Sequence, residues 1–129
     1  VMRSKFGEYP EYHTSADNLD LISPAGLQGS FDVYQSMILA LENNDRYQVT
    51  CLGEPQLGKR GLYPTESYKG SADHVTTMMD LIAYCDGNND LIEISNIIGK
   101  PISELIPISE KLVNQGLLIR NQERRNQNE

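Results

Sequence analysis

Two histidines stand in this chain of 129 residues, and they keep very different company. His13 lies in the stretch EYPEYHTSADN, residues 8–18, between a Tyr-Pro-Glu-Tyr approach and a Thr-Ser-Ala-Asp turn. Neutral imidazole binds zinc well, and catalytic zinc sites combine histidine with carboxylates from distant parts of a chain. Such a ring must be held by packing and by a neighbour that orients it. Pro10 stiffens the approach and biases Tyr9 toward extended backbone. Tyr9 and Tyr12 offer rings and hydroxyls, and Thr14, Ser15 and Asp17 can fold back onto backbone N–H groups. The competing reading is a surface histidine near a helix start, and residue chemistry alone favours it. His74 has no comparable setting and reads as a solvated residue near a helix start.

The remaining reactive groups are sparse. Cys51 and Cys85 are isolated and lack CxxC spacing, so they read as reduced thiols of a cytoplasmic protein. Lys59 and Arg60 form the basic pair of the segment GEPQLGKRGLYP, residues 53–64. They could meet an anionic group, but a packing role for the segment is the stronger reading.

Several elements must position these groups. Residues 1–18 read as loop. Ser23 followed by Pro24 is an N-cap with proline at the first helical position. Leu27, Phe31, Tyr34, Ile38 and Leu41 then recur at spacings of three and four, which predicts an amphipathic helix over 24–43. Asn43-Asn44-Asp45 ends it. Residues 46–70 open with the strand-like YQVTC and continue as a turn-rich connector. From residue 71 the chain changes character. ADHVTTMMDLIAYCDG predicts a helix with Val75, Met78, Met79, Ile82 and Cys85 inward, stopped by Gly87. Asp90 caps a second, with Leu91, Ile94, Ile97 and Ile98 as its apolar face and Gly99 as its stop. A third is expected to be capped by Ser103, with Pro107 near its first turn, Leu105, Ile108, Leu112 and Val113 inward, and Gly116 at its end. LLIRN, residues 117–121, reads as a short strand, and QERRNQNE as a disordered tail.

Three short helices, tight turns and then a strand form a helix-turn-helix with the start of a wing. Charge argues against a DNA reader. The chain carries −7 overall, and residues 71–129 hold nine acidic against five basic side chains, a net of −4. The expected recognition helix 103–115 offers Lys111 and two glutamates. A phosphate reader needs several cations, so nucleic acid is not the expected partner. No apolar run is long enough to span a membrane.

With those residues in view, YPEYHTSADNLDLIS followed by a long helix resembles the last metal-ligand segment of the co-catalytic zinc aminopeptidase family. The match is closer to a bacterial aminopeptidase-like subgroup associated with polysaccharide biosynthesis. There the His-Thr-Ser loop and helix are followed by GEPQLGKRGLYP and a winged-helix domain, so the resemblance covers nearly the whole chain. It implies that His13 is a zinc ligand, that Asp17 braces the loop beside it, and that Tyr12 and Arg3 line the site. It also implies that the other ligands and the general-base glutamate precede residue 1. Residues 1–12 cannot replace them, and a catalytic zinc needs about three protein ligands plus an open position.

The expected fold is therefore mainly α. Residues 1–70 would be the end of an α/β peptidase domain and its connector, and 71–129 a winged-helix domain with its tail. The expected function is that of the C-terminal fragment of a zinc-dependent hydrolase acting on peptide or amide bonds, inactive alone and not retaining zinc alone. Its partner would be the missing N-terminal catalytic domain, or a second copy through helix 24–43. The alternatives are a winged-helix module that binds protein or nucleic acid, and a degenerate, non-catalytic peptidase fold.

Overall fold

The computed structural model describes residue 2, residues 4–63 and residues 71–121. Arg3, the end of the connector from Pro64 and the polar tail fall outside the described residues. The chain divides into two compact units, residues 1–41 and 42–129.

The first unit is a run of turns leading into helix α1, Pro24–Glu42. Its start is as the sequence predicts: the Ser23 hydroxyl accepts from the Gly26 N–H at 3.0 Å, which satisfies one of the donors that a helix N-terminus leaves unpaired. The five residues of the predicted stripe, Leu27, Phe31, Tyr34, Ile38 and Leu41, are 47–66% exposed. No residue of α1 is buried.

The second unit is built around a three-stranded antiparallel sheet. Its strands are β1, Arg46–Val49, β2, Asp86–Asp90, and β3, Leu118–Asn121, in the order β2-β1-β3. Strand β1 pairs with β3 in unbroken register from Arg46↔Asn121 to Val49↔Leu118. Against β2 the register shifts between the pairs Arg46↔Asp90 and Gln48↔Asp86. Gly87 sits at that irregularity with φ +89°, and a Cβ there would meet Asn121 Nδ2 at 3.2 Å. A side chain is thus disfavoured by backbone and neighbour together.

Three helices cover the sheet: α2, Ser71–Tyr84, α3, Leu91–Ile98, and α4, Ile102–Asn114. Asp90 caps α3 through a reciprocal box. Its carboxylate accepts from the Glu93 N–H at 3.0 Å, and Glu93 Oε2 accepts from the Asp90 N–H at 2.8 Å. Gly99 closes α3 in the left-handed conformation, φ +66°. The core joins Met78, Leu81, Ile82 and Cys85 of the α2 region to Leu91, Ile94, Leu105, Ile108 and Leu112 of α3 and α4. Tyr47, Leu57, Leu62, Leu117 and Leu118 complete it.

Several expectations need correcting. The compact units part at Leu41–Glu42, so a boundary after residue 70 falls inside the second unit. The connector supplies the central strand and two core leucines. Ser103 does not cap α4: Pro101 occupies the N-cap position without a side-chain bond, because its fixed φ suits the extended entry to a helix. Pro107 consequently lies inside the helix and not in its first turn, where it removes an N–H from the ladder. Ile97 is 49% exposed, whereas Leu81, absent from the predicted face of α2, is fully buried.

Candidate metal-ligand loop

The loop around His13 is a series of tight turns closed by its own backbone. Tyr12 N–H donates to the Tyr9 carbonyl at 3.3 Å, Thr14 N–H to Glu11 at 3.0 Å, and Asp17 N–H to Thr14 at 3.1 Å. The Thr14 hydroxyl donates to the Glu11 carbonyl at 2.8 Å and accepts from the Ala16 N–H at 3.2 Å. Asn18 accepts from the Asp20 N–H at 2.7 Å. The fold-back expected of Thr14 is thus present. Asp17 takes part through its main-chain N–H, and its exposed carboxylate lies four residues beyond the imidazole.

Within these turns His13 has φ +59°. Left-handed backbone is uncommon away from glycine, though histidine tolerates it better than bulkier residues. The imidazole is exposed. Its ring centroid lies 4.2 Å from that of Tyr12, the planes inclined at 73°. Tyr12 in turn stacks on Phe6, centroids 6.1 Å apart, and meets Tyr9 edge-on at 5.7 Å. Aromatic pairs favour these offset and edge-to-face arrangements. Phe6, Tyr9 and the imidazole thus all meet at the Tyr12 ring. Phe6 did not stand out in the sequence, because the pairing runs across a turn of irregular geometry and follows no periodic spacing.

One imidazole is one donor. Among the described residues no group of three or more His, Cys, Asp or Glu is placed to hold a metal ion. The His13 imidazole is exposed, and the described residues around it do not make up a complete metal site. Arg3 lies outside the described residues.

Lys59 and Arg60 are remote in sequence from this loop and belong to the second unit. They form the 3-10 turn Gly58–Arg60, closed by Gly61 in the left-handed conformation. Leu57 and Leu62, on either side, are 1% and 2% exposed. Arg60 Nη1 donates to the Gln115 carbonyl at 2.6 Å, so its guanidinium is anchored at the C-terminal end of α4, where cations are favoured. Lys59 is exposed.

A cleft of about 580 Å³ opens between α2 and α4, lined by Asp73, His74, Thr77, Glu104, Ile108 and Lys111, among others. His74 is exposed there, in keeping with a solvated histidine. Lys100 Nζ holds Asp73 Oδ2 at 2.8 Å, and that hydrogen bond raises the lysine's pKa. Arg120 faces Asp45 at 3.5 Å and Glu110 at 3.8 Å. Both cations are engaged within the unit. Cys85 is buried, and burial pushes its thiol up to about 12. Cys51 and Cys85 are both free. No helix among the described residues is long and apolar enough to cross a membrane.

Residues 45–120 match the winged helix-turn-helix family, and the chain belongs to it. Residues 1–44 match a second family, described as a domain of unknown function (DUF4910). A Clostridium acetobutylicum protein named for polysaccharide biosynthesis and an aminopeptidase-like domain is 38% identical over 99 residues, 74% of this chain and 22% of the relative. The aligned part is that relative's C-terminal part. A crystal structure from the same organism, titled as a peptidase, superimposes with a TM-score of 0.77 at 32% identity, covering 93% of this chain and 26% of that one. The resemblance to aminopeptidase-like proteins is therefore real, and the chain spans about a quarter or less of the length of each.

Proposed function

We propose that this chain forms the C-terminal part of a zinc-dependent aminopeptidase-like hydrolase acting on peptide or amide bonds. The observation that carries the reading is the His13 loop: an exposed imidazole, on left-handed backbone, backed by Tyr12, which Phe6 and Tyr9 flank. Its location in a chain similar to an aminopeptidase-like relative and to a solved peptidase supports the assignment.

In this reading His13 supplies one ligand, and the rest of the ligand set, with the general-base carboxylate, comes from polypeptide that precedes this chain. When bound, zinc polarises the amide carbonyl and makes water a better nucleophile at neutral pH. The residues of this chain present and orient. The turns from Glu11 to Asp17 fix the backbone of His13, and Tyr12 lies against its ring. The apolar stripe of α1 is covered by the catalytic domain, since a stripe of this width is a packing surface. By itself the His13 loop offers one imidazole, which is too few ligands to retain zinc.

The winged-helix unit serves as a protein-contact and packing module. Its expected recognition helix is acidic, and Lys100 and Arg120 are paired with carboxylates, which leaves little to neutralise phosphates. Arg60 acts as a structural clamp, and Lys59 is the residue left to meet an anionic group. The free thiols suit a reducing cytoplasm.

Zinc content measured on the protein as encoded, with and without His13→Ala, tests the assignment. The variant should lose at least tenfold in zinc affinity and with it amide hydrolysis. Unchanged zinc content in the variant would refute it, as would an encoded protein that binds no zinc.

A further inference from the structure

We propose that Tyr12 is the positioning residue for the His13 imidazole, acting through its ring and not its hydroxyl. The inference rests on His13 being a metal ligand and adds how that ligand is oriented.

A ligand ring on an exposed loop has two soft torsions, and freezing them on binding costs entropy. A neighbouring metal-site histidine is usually held by a carboxylate or carbonyl at its second nitrogen. Among the hydrogen bonds found around this loop, the acceptors and donors are Thr14, Asn18 and main-chain groups. The close contact of the imidazole is with a ring: Tyr12, centroid to centroid 4.2 Å, planes at 73°. Tyr12 is itself wedged, stacked on Phe6 and edge-on to Tyr9. It is half-buried while His13 is exposed. The pair thus has a fixed side and a presented side. The imidazole lies against its preceding neighbour, and Phe6 and Tyr9 flank that neighbour.

The contact is between the two rings, so Tyr12→Phe should keep the function and Tyr12→Ala should lose it. Two readouts on the protein as encoded decide the matter. The first is zinc affinity, by competition against a chelator. Tyr12→Ala should weaken it by about tenfold, the lower end for residues that orient a ligand, and Tyr12→Phe should restore it to within about twofold of wild type. The second is the NMR signal of the His13 ring without metal. Its ring-current shift should persist in Tyr12→Phe and collapse in Tyr12→Ala, with faster ring motion.

The outcomes separate the two readings. If His13→Ala abolishes zinc binding while Tyr12→Ala leaves affinity and the His13 ring signal unchanged, the metal assignment stands and the positioning role is wrong. If Tyr12→Phe is as damaging as Tyr12→Ala, the hydroxyl and not the ring matters, and the proposal fails. If the encoded protein binds no zinc, the ring signal still reads the contact, and an unshifted, freely moving imidazole in wild type overturns it.

Discussion

The connector GEPQLGKRGLYP should be part of the winged-helix core, and Leu57→Ala tests this. Leu57 is 1% exposed and belongs to the main hydrophobic cluster. Truncation removes about three methylene equivalents, each worth ~0.8 kcal/mol of transfer free energy. That amounts to roughly 2.4 kcal/mol before any cavity is counted. A rigid surround, with Leu62 beside it and the Arg60–Gln115 bond pinning the turn, limits collapse, so about 3 kcal/mol is expected. The second unit spans residues 42–129, and a unit of that size has a total stability of only about 4–13 kcal/mol. The midpoint of thermal unfolding should therefore fall by roughly 12–24 °C. Circular dichroism melts and urea titrations at constant m-value give the measurement. Leu52→Ala is the control: that side chain is 108% exposed and should change stability by less than about 0.5 kcal/mol. A Leu57→Ala protein as stable as the control would show that the segment merely drapes over the domain.

Three further outcomes follow from the second unit. Asp90→Ala removes one half of the capping box on α3 and should cost about 1 kcal/mol in urea unfolding, with the far-UV spectrum retained. Under native conditions at pH 8 a thiol reagent should modify Cys51 and spare Cys85, whose thiol is pushed up to about 12. Both should react after denaturation. By linkage, the contribution of a neutral Cys85 is complete below the ordinary thiol value of 9.0 and is lost as pH climbs from there toward 12. The Asp86 carboxyl is held below its ordinary 3.8, chiefly by the Asn88 backbone N–H and side-chain amide. Its stabilising effect is present above that value and disappears as pH drops through the lowered one. Asn88→Ala removes the amide but keeps the backbone N–H, so the NMR titration midpoint should rise only part of the way, and an unmoved midpoint would remove the side-chain amide as a contributor.

What could be read from the chain was local. Ser23-Pro24, Asp90 and Gly99 are short-range signals, and each marks a helix end where expected. The helical stripes of α3 and α4 emerged for the same reason. The strand character of β1 was legible in YQVTC, but its place at the centre of a sheet was not. RYQV is short and is followed by turns, and nothing near it announces that strands 37 or more residues away in sequence will flank it. DGNND has poor strand propensity, and only the pairing with β1 makes it one. Pro107 inside α4 shows tertiary packing overriding a local preference. At the site, His13 and Tyr12 were legible as residue types beside a stiff turn. The Phe6–Tyr12–Tyr9 contacts were not, since turns carry no period from which a contact can be inferred.

Strand β1 lies in the middle of its sheet although it comes first in the chain. A dissection that begins at residue 71, where the helices start, would keep α2, α3 and α4 but delete the strand that both β2 and β3 bond to. Two bare edges and a hole where Tyr47 belongs would remain, a recipe for aggregation. Any gene fusion, transplant or expression trial meant to carry this module intact has to cut upstream of Arg46, between α1 and the strand.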